Sequence, residues 1–260
     1  MEAATHFGGH HEVSLGMGKG RRRSGSKMVK SSVSQRVVMV KAVMTNSKEE
    51  VAALEATVYH DNWFNRMAIR HLSQTFQATT GIRSGKEGYD SLVEAASGVW
   101  RNFKTAEQHE LVDQALKQAF PDHILFWIRT LLPPSKTTRE MFAIVATIFF
   151  YWLIGPSEVK ESDEVDGRRE RNVTRIKKCR FLEGSKCVGM CINLCKIPSQ
   201  KFIKESFGMP ITMVPNFEDM SCEMRFGQEP PAPEDDPAMQ QPCYSFCELK
   251  RRHSNECSSI

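Results

Sequence analysis

Cysteine is the residue type whose number and placement in this sequence most clearly indicate chemistry. The chain has 260 residues, and all eight of its cysteines lie between positions 179 and 260. Roughly one residue in ten is therefore cysteine in that segment, a density typical of small units held together by disulfides or metal ions. The carboxyl-terminal third of the chain is thus the part that we expect to bind a metal.

The spacing of these cysteines indicates pairs of metal ligands. Cys187, Cys191 and Cys195 recur every four residues, and Cys243 and Cys247 repeat the same step. Residues four apart share one face of a helix, so each adjacent pair can present two thiolates to one metal ion or cluster. Cys187 and Cys195, however, would lie about 12 Å apart along a helix axis. That is too far for both to bind one ion, because bonds from metal to sulfur are about 2.3 Å long.

Three arrangements are compatible with this spacing. In the first, one adjacent pair acts with cysteines from elsewhere in the chain, among them Cys179. In the second, the helix is broken, for which Gly189 is the weak point, and in the third the thiolates surround an iron–sulfur cluster. Soft thiolate ligands favour iron–sulfur, zinc or copper(I) over magnesium or calcium. The predicted metal ligands are six cysteines: Cys187, Cys191, Cys195, Cys222, Cys243 and Cys247.

A second interpretation is that these cysteines form disulfides, serve redox regulation or fill the core as small apolar side chains. Permanent disulfides are typical of secreted proteins, and the amino terminus of this chain lacks the central apolar stretch of a secretory signal. Metal binding is therefore the favoured interpretation of the six. Cys257, alone in a polar tail over residues 248–260, is expected to be a free thiol.

Residues 1–45 have the composition of an organelle transit peptide. This stretch is rich in serine and glycine and contains eight Lys and Arg but only two Glu. Such a composition is typical of transit peptides, and the alternative is a disordered basic arm with a nuclear signal at residues 19–23. Because the positive charge is concentrated there, the rest of the chain gives no electrostatic reason to expect nucleic-acid binding.

Helical periodicity and capping signals predict an all-helical region over residues 46–156, with Asp61 or Asn62 capping the first helix. The last predicted helix is nearly apolar in its second half and is expected to be the buried central helix. Its apolar run of 14 residues is shorter than the roughly 20 that a membrane span needs. The predicted helices cover residues 63–76, 89–103, 105–120, 122–132 and 135–154.

The second part of the chain is predicted to contain a small sheet. A polar linker over residues 157–172 leads to a Cys-rich metal-binding region over residues 173–247. Short stretches in which apolar and polar residues alternate predict strands. A segment that begins at a proline and ends at a glycine predicts a helix, and a run of acidic residues predicts a solvated turn. The fold class is therefore α+β, an N-terminal helical half packed with a Cys-rich half that carries a small β-sheet. The predicted strands cover residues 173–181, 210–214 and 222–226, the helix residues 198–207 and the turn residues 234–236.

Other motifs that would indicate an enzyme class are missing from the sequence. It has no Gly-rich phosphate loop, no nucleophile elbow and no paired-histidine zinc motif, so hydrolase and kinase functions have no support. Four histidines of the helical region are candidate ligands or bases, although surface or capping roles are more typical: His60, His71, His109 and His123.

The Cys-rich region resembles a known family. The similarity is carried by Cys179-Arg-Phe-Leu-Glu-Gly-Ser-Lys-Cys187-Val-Gly-Met-Cys191-Ile-Asn-Leu-Cys195, Pro215-Asn-Phe-Glu-Asp-Met-Ser-Cys222 and Pro242-Cys243-Tyr-Ser-Phe-Cys247. In this order the segments are similar to the plant beta-carotene isomerase family known as Dwarf twenty-seven. The resemblance is dense over residues 173–247 and thinner in the helical half, which suggests a paralogue within the family.

The resemblance implies a function. Members of that family are plastid iron-containing proteins that interconvert all-trans and 9-cis beta-carotene, the first step toward strigolactone hormones. It therefore implies a chloroplast isomerase with an iron centre, either mononuclear or an iron–sulfur cluster, and a peripheral contact with plastid membranes to collect its carotenoid. The alternative is a non-catalytic iron–sulfur or zinc protein that binds carotenoid or a protein partner in plastids.

A carotenoid site must be largely apolar, and the helical half has aromatic and aliphatic side chains that could line it. Stripes of such residues at helical spacing are more often core, and the sequence singles out no catalytic residue. The side chains in question are Phe120, Ile124, Phe126, Trp127, Leu131, Phe142, Phe149, Phe150 and Trp152.

Overall fold

The structure, a computed structural model, describes residues 57–165 and 168–244. The predicted transit peptide, Cys247 and the polar tail with Cys257 lie outside the described residues. Within them the α+β prediction is confirmed, since a set of helices is followed by an antiparallel sheet with further helices.

The helical half follows the local signals of the sequence closely. The side chain of Asn62 accepts a hydrogen bond from the Asn65 N–H (2.8 Å) and so caps the first helix. That helix ends at Gly81, whose φ of 72° lies in the left-handed region that favours glycine. The helices between residues 57 and 156 are α1 (Trp63–Thr80), α2 (Gly88–Asn102), α3 (Thr105–Ala119), α4 (Asp122–Leu131), α5 (Lys136–Phe149) and α6 (Tyr151–Ile154).

The predicted single helix over residues 135–154 is two helices in the structure. Ser135 caps α5, because its Oγ accepts a hydrogen bond from the Thr138 N–H (3.2 Å). The helical path breaks at Phe150, and α6 adds one further turn. None of the helices in the described ranges is both long enough and apolar enough to cross a membrane.

Helix α5 packs against the sheet through one side only. Ala143 and Ala146 are buried, and such small side chains allow close approach: the Thr174 hydroxyl of the sheet donates to the Ala143 carbonyl (2.9 Å). On the opposite side Ile148 is 71% exposed. The helix is therefore not the buried central helix that its composition predicts.

A four-stranded antiparallel sheet has the strand order β1–β2–β4–β3. Its first two strands occupy the segment predicted as a polar linker over residues 157–172. The segment has a polar sequence because β1 is an edge strand, and edge strands commonly carry charged side chains. For example, Glu158 of β1 pairs with Lys177 (3.3 Å). The strands are β1 (Ser157–Val165), β2 (Arg168–Ile176), β3 (Ile211–Pro215) and β4 (Cys222–Phe226).

An ion pair joins α5 to β2. The guanidinium of Arg139 donates to both carboxylate oxygens of Glu170 (2.6 and 2.7 Å), and the Glu170 side chain is only 5% exposed. The hydrogen bonds from Arg139 lower the pKa of Glu170 below its ordinary value. Glu170 therefore stays charged within the interface between helix and sheet.

The remaining helices connect β2 to β3, and one of them is unusual. Between α8 and α9 the chain forms one turn of π-helix, in which the Ile197 N–H bonds to the Ile192 carbonyl, five residues back. Single π turns occur frequently at functional sites. These elements are α7 (Arg180–Ser185), α8 (Val188–Met190), the π-helix (Cys191–Lys196) and α9 (Ile197–Phe207), and short 3₁₀ turns follow β4 at Pro233–Asp235 and Pro237–Gln240.

Candidate functional site

Five cysteines lie where the helices of the second half meet the end of the sheet. Cys179 directly precedes α7, Cys187 precedes α8, and Cys222 begins β4. Cys191 and Cys195 lie on the π-helix. These two cysteines therefore share one helical turn, the case in which residues four apart lie on one face, but the turn is a π turn, for which the cysteine spacing gives no signal.

Backbone pairing brings two of these positions together. The Cys179 N–H donates to the Met220 carbonyl (2.7 Å), which holds the start of α7 against the start of β4. Cys222 in turn pairs with Ile176 of β2 and with Pro215 of β3. Cys179, which the sequence suggested only as an additional partner, therefore lies beside a predicted ligand.

We call Cys179, Cys191, Cys195 and Cys222 the thiol cluster. All four are free cysteines, and each interacts electrostatically with at least one of the others. Burial raises the pKa of Cys195 to about 12. Burial also raises the pKa of Cys191 well above its usual value, and negative charge on the other three thiols would raise it further. The cluster is therefore a set of neutral thiols at neutral pH.

The other predicted ligands contribute differently. Cys187 is fully buried, and its carbonyl accepts a hydrogen bond from the Cys191 N–H (3.1 Å). Cys243 is disulfide-bonded and would have to be reduced before it could act as a thiolate ligand. Cys247 lies outside the described residues.

The thiol cluster matches a soft metal ion in chemistry but not in arrangement. Thiolates are the preferred ligands of iron–sulfur clusters, zinc and copper(I). Within residues 57–165 and 168–244, however, no group of three or more His, Cys, Asp or Glu side chains is arranged to hold a metal ion. The described side chains therefore do not form a ligand set by themselves, and the iron centre stays a prediction.

A buried cation lies at the edge of the thiol cluster. Lys196, at the end of the π-helix, donates from Nζ to the Met213 carbonyl (2.6 Å) and pairs with Asp236 (2.7 Å). The two side chains are only 2% and 7% exposed. The positive charge of Lys196 partly offsets the rise in the pKa of Cys191 and Cys222. Sequence reasoning missed this pair, because it placed Asp236 in a solvated turn.

Arg180 clamps the N-terminal end of the described chain onto α7. Its guanidinium lies over the rings of Tyr59 and Tyr89, 4.4 and 4.1 Å from their centroids. It also donates to both carboxylate oxygens of Asp61 (2.7 and 2.8 Å) and to the Trp152 carbonyl (3.0 Å). Because Arg180 follows Cys179 directly, this Arg180 clamp also fixes one end of the thiol cluster.

Three of the four candidate histidines lie at the surface, and the fourth, His109, is partly buried. His60 and His123 are exposed, and His71 bonds to the Ala119 carbonyl (3.1 Å) from the surface. His109 is partly buried, and burial lowers its pKa.

The apolar side chains proposed to line a channel divide into two groups. Phe120, Phe142 and Phe150 pack against the core, whereas Phe126 and Trp127 are 63% and 57% exposed. A cavity beside Lys196 measures about 90 Å³, well below the roughly 300–1,000 Å³ of small-molecule sites. A long hydrocarbon does not fit that cavity.

These observations define a class of protein. It has an α+β fold in which a buried thiol cluster lies between the helices and one end of the sheet. The family model "Beta-carotene isomerase D27-like, C-terminal" matches residues 152–235, which contain the whole thiol cluster. The chain is 58% identical over 223 residues to "Beta-carotene isomerase D27, chloroplastic" of Medicago truncatula, covering 86% of this chain and 88% of that protein. This chain belongs to the beta-carotene isomerase D27 family.

A protein of the same name from Arabidopsis thaliana is 50% identical over 216 residues, covering 82% of this chain and 81% of that protein. The family resemblance seen in the cysteine segments is thereby confirmed, and it extends well into the helical half. Both relatives are named chloroplastic, which confirms the chloroplast location that the family resemblance implies. No solved structure matches the chain.

Proposed function

We propose that this chain is an isomerase that interconverts the all-trans and 9-cis isomers of beta-carotene or of a related carotenoid. The observation that carries the proposal is the 58% identity to a protein named for beta-carotene isomerisation, 88% of which is covered by the comparison. Membership in a family of enzymes supports catalysis over the alternative of a non-catalytic metal protein.

The reaction changes the geometry at one double bond of the polyene and leaves its composition unchanged. A catalyst lowers the barrier equally in both directions, so either pure isomer is expected to approach the same final mixture. No oxygen or reductant should be consumed in proportion to product.

The activity is tested by incubating the purified chain with all-trans or 9-cis beta-carotene in detergent micelles and separating the isomers by chromatography. Oxygen uptake is followed in parallel. One common end mixture without oxygen uptake supports the proposal. Different end mixtures from a still-active enzyme, or one oxygen consumed per product, would point to an oxidative reaction instead.

We include the iron centre in the proposal, with thiolate ligands from the predicted six cysteines. Of the five that the structure describes, Cys243 would first have to be reduced and the others would have to lose their protons, and no three of them are yet arranged to hold a metal ion. Cys191 belongs to both adjacent pairs of the Cys187–Cys195 series, so Cys191→Ser is expected to lose metal and activity. Cys257→Ser is the matched control, because that cysteine lies in the polar tail.

Metal content is measured after anaerobic purification. Full iron occupancy in Cys191→Ser would show that this residue is not a ligand. Zinc in place of iron, together with no turnover, would favour the non-catalytic alternative.

The link to strigolactone synthesis is a further part of the proposal, and loss of strigolactone from a plant that lacks this chain would test it.

A carotenoid is a hydrocarbon that dissolves in lipid rather than water. The cavity beside Lys196 is too small for it, and large apolar side chains such as Trp127 are exposed on the helical half. We therefore propose a peripheral contact with a plastid membrane as the route by which substrate reaches the enzyme.

A further inference from the structure

Helices α4 and α5 follow one another along the chain at the surface, and the residues that flank their far ends lie close together. The Phe120 ring, two residues before α4, contacts the Phe150 ring, which directly follows α5 (6.4 Å between centroids). The other ends of the two helices are joined by the short loop 132–135. Both helices rest on α9, since Phe120 contacts Phe202 (5.6 Å) and Phe142 contacts Phe207 (5.6 Å).

This helical pair buries little of its apolar surface. Leu125 is the one residue of α4 that is buried. Leu131 is 67% exposed on α4, and Ile148 and Phe149 are 71% and 56% exposed on α5. Soluble proteins rarely leave a contiguous group of such large side chains in water, and where they do it marks an interaction site.

The apolar surface continues onto α1. The Phe149 ring contacts the Phe64 ring (5.3 Å), which in turn contacts the Trp63 ring (6.2 Å). Trp63 is 71% exposed, and Met67 on the next turn is 52% exposed. We call the surface on these three helices the apolar face; its main side chains are Trp63, Phe126, Trp127, Leu131, Ile148 and Phe149.

The three helices carry basic side chains at the surface. Arg66 and Arg70 are exposed on α1 together with Trp63 and Met67, since residues three, four and seven apart share one side of a helix. Arg129 is exposed on α4, as is Lys136 at the start of α5.

The acidic side chains on the same helices are fewer. They are Asp122 at the start of α4 and Glu140 on α5. Glu140 is already engaged, because it accepts from the Arg171 N–H (3.1 Å) and lies 3.9 Å from Lys136. Arg129 and Lys136 are engaged as well, since Arg129 donates to the Glu205 carbonyl (2.9 Å) and Lys136 contacts Glu140. On α1, however, Arg66 and Arg70 share a side with Trp63 and Met67 and the helix has no acidic residue, so this part of the apolar face is positively charged.

We propose that the apolar face docks the protein on an anionic lipid bilayer. The proposal rests on the proposed function, which requires access to a hydrocarbon dissolved in lipid. Exposed Trp and Phe beside Arg and Lys are the composition of helices that lie in a membrane interface. Basic side chains gain from anionic lipid, whereas they would repel one another across a contact between two copies of the same face.

Tryptophan makes the proposal directly measurable. The chain has four tryptophans, and none lies in residues 1–62 or after residue 152. Trp63 and Trp127 belong to the apolar face, whereas Trp152 is buried and Trp100 is partly buried. Brominated phosphatidylcholine in vesicles that also contain phosphatidylglycerol quenches only tryptophan that enters the bilayer. We expect quenching in the full chain, and we expect it to fall in Trp127→Phe.

Two variants separate this surface from others. Met67→Ser combined with Ile148→Ser is expected to weaken vesicle binding about tenfold or more, because both exposed apolar side chains lose their favourable transfer out of water. Val214→Ser is the matched control, since Val214 is 40% exposed on β3, outside the three helices. Thermal melting confirms that each variant stays folded.

The basic leader is the main competing cause of vesicle binding. It contains no tryptophan, so binding through the leader would survive the double substitution and would leave Trp127 unquenched. That result would overturn the proposal. Dimers that form without vesicles, and whose formation the double substitution abolishes, would assign the surface to a second copy and would also overturn it.

Activity assays separate this proposal from the proposed function. The double variant is expected to keep its isomerase rate in detergent micelles and to lose it with substrate in vesicles. A wild-type chain that docks but isomerises in neither medium would refute the function and leave the docking surface. Equal rates for wild type and variant in vesicles would refute a role of the surface in substrate access.

Discussion

The buried pair between Lys196 and Asp236 should behave as a strongly coupled unit in folding. Asp236→Asn keeps the side-chain shape, and it keeps an oxygen for the hydrogen bond that Asp236 accepts from the Ala238 N–H (3.0 Å). It removes only the negative charge and leaves the ammonium of Lys196, 2% exposed, without its counter-charge. Removing one partner of a buried pair costs about 3–5 kcal/mol, and because the amide oxygen is retained we expect Asp236→Asn to lower the free energy of unfolding by about 3 kcal/mol.

The double variant tests whether charge is the cause. Lys196→Met with Asp236→Asn leaves no buried charge and loses mainly the hydrogen bond to the Met213 carbonyl, a cost of about 1–2 kcal/mol. It should therefore be more stable than either single variant.

Urea unfolding, followed by tryptophan fluorescence, gives the free energies. Glu229→Gln is the control, because Glu229 forms an exposed ion pair with Lys204 (2.9 Å), and exposed pairs contribute about 0–1 kcal/mol. The reasoning fails if Asp236→Asn costs no more than Glu229→Gln. It also fails if the double variant loses as much as the two single variants combined.

Two further predictions concern the interfaces around the sheet and the thiol cluster. Because Arg139 lowers the pKa of Glu170 from its ordinary value of 4.5, the pair contributes stability above that pH and loses it as the pH falls through the lower folded value. Urea midpoints should therefore fall more steeply below about pH 4.5 for wild type than for Glu170→Gln, and parallel profiles would contradict this. Gly189→Ala would place a methyl group into the Trp100 ring and should cost about 1–3 kcal/mol. Gly85→Ala, which meets no atom within 4 Å, should be tolerated, and equal melting temperatures for the two glycine variants would refute the packing argument.

Local signals account for the parts of the fold that could be predicted. Asn62 caps α1, Ser135 caps α5, and Gly208 ends α9 with a φ of 68°. Each signal acts within a few residues, so the sequence alone determines it. The fold class and most helix boundaries follow from such signals together with helical periodicity.

Contacts between distant residues account for what could not be predicted. Glu170 makes the segment over residues 157–172 look like a polar linker, but its partner Arg139 is 31 positions away. Asp236 looks like part of a solvated acidic turn for the same reason, since Lys196 lies in another element. Charges that are paired only in the folded state look exposed in the sequence.

The candidate site combines both cases. Cys191 and Cys195 lie on one helical stretch, which is one of the arrangements compatible with their four-residue spacing, but the spacing does not show that the stretch is a π turn. The approach of Cys179 to Cys222 depends on sheet register and on the hydrogen bond to the Met220 carbonyl. Tertiary pairing of this kind has no counterpart in spacing along the chain.

The Arg180 clamp sets a limit on how a precursor of this protein can be shortened. Thr57 and Tyr59 bind the Glu183 carboxylate (2.7 Å each), and Asp61 binds Arg180, so the residues just before α1 complete the second half of the fold. A processing peptidase that cut beyond Asp61 would leave a guanidinium, 7% exposed, without its carboxylate. Removal of the leader upstream of Thr57 keeps all of these contacts, whereas an imprecise cut beyond Asp61 is expected to give an imported enzyme of lower stability.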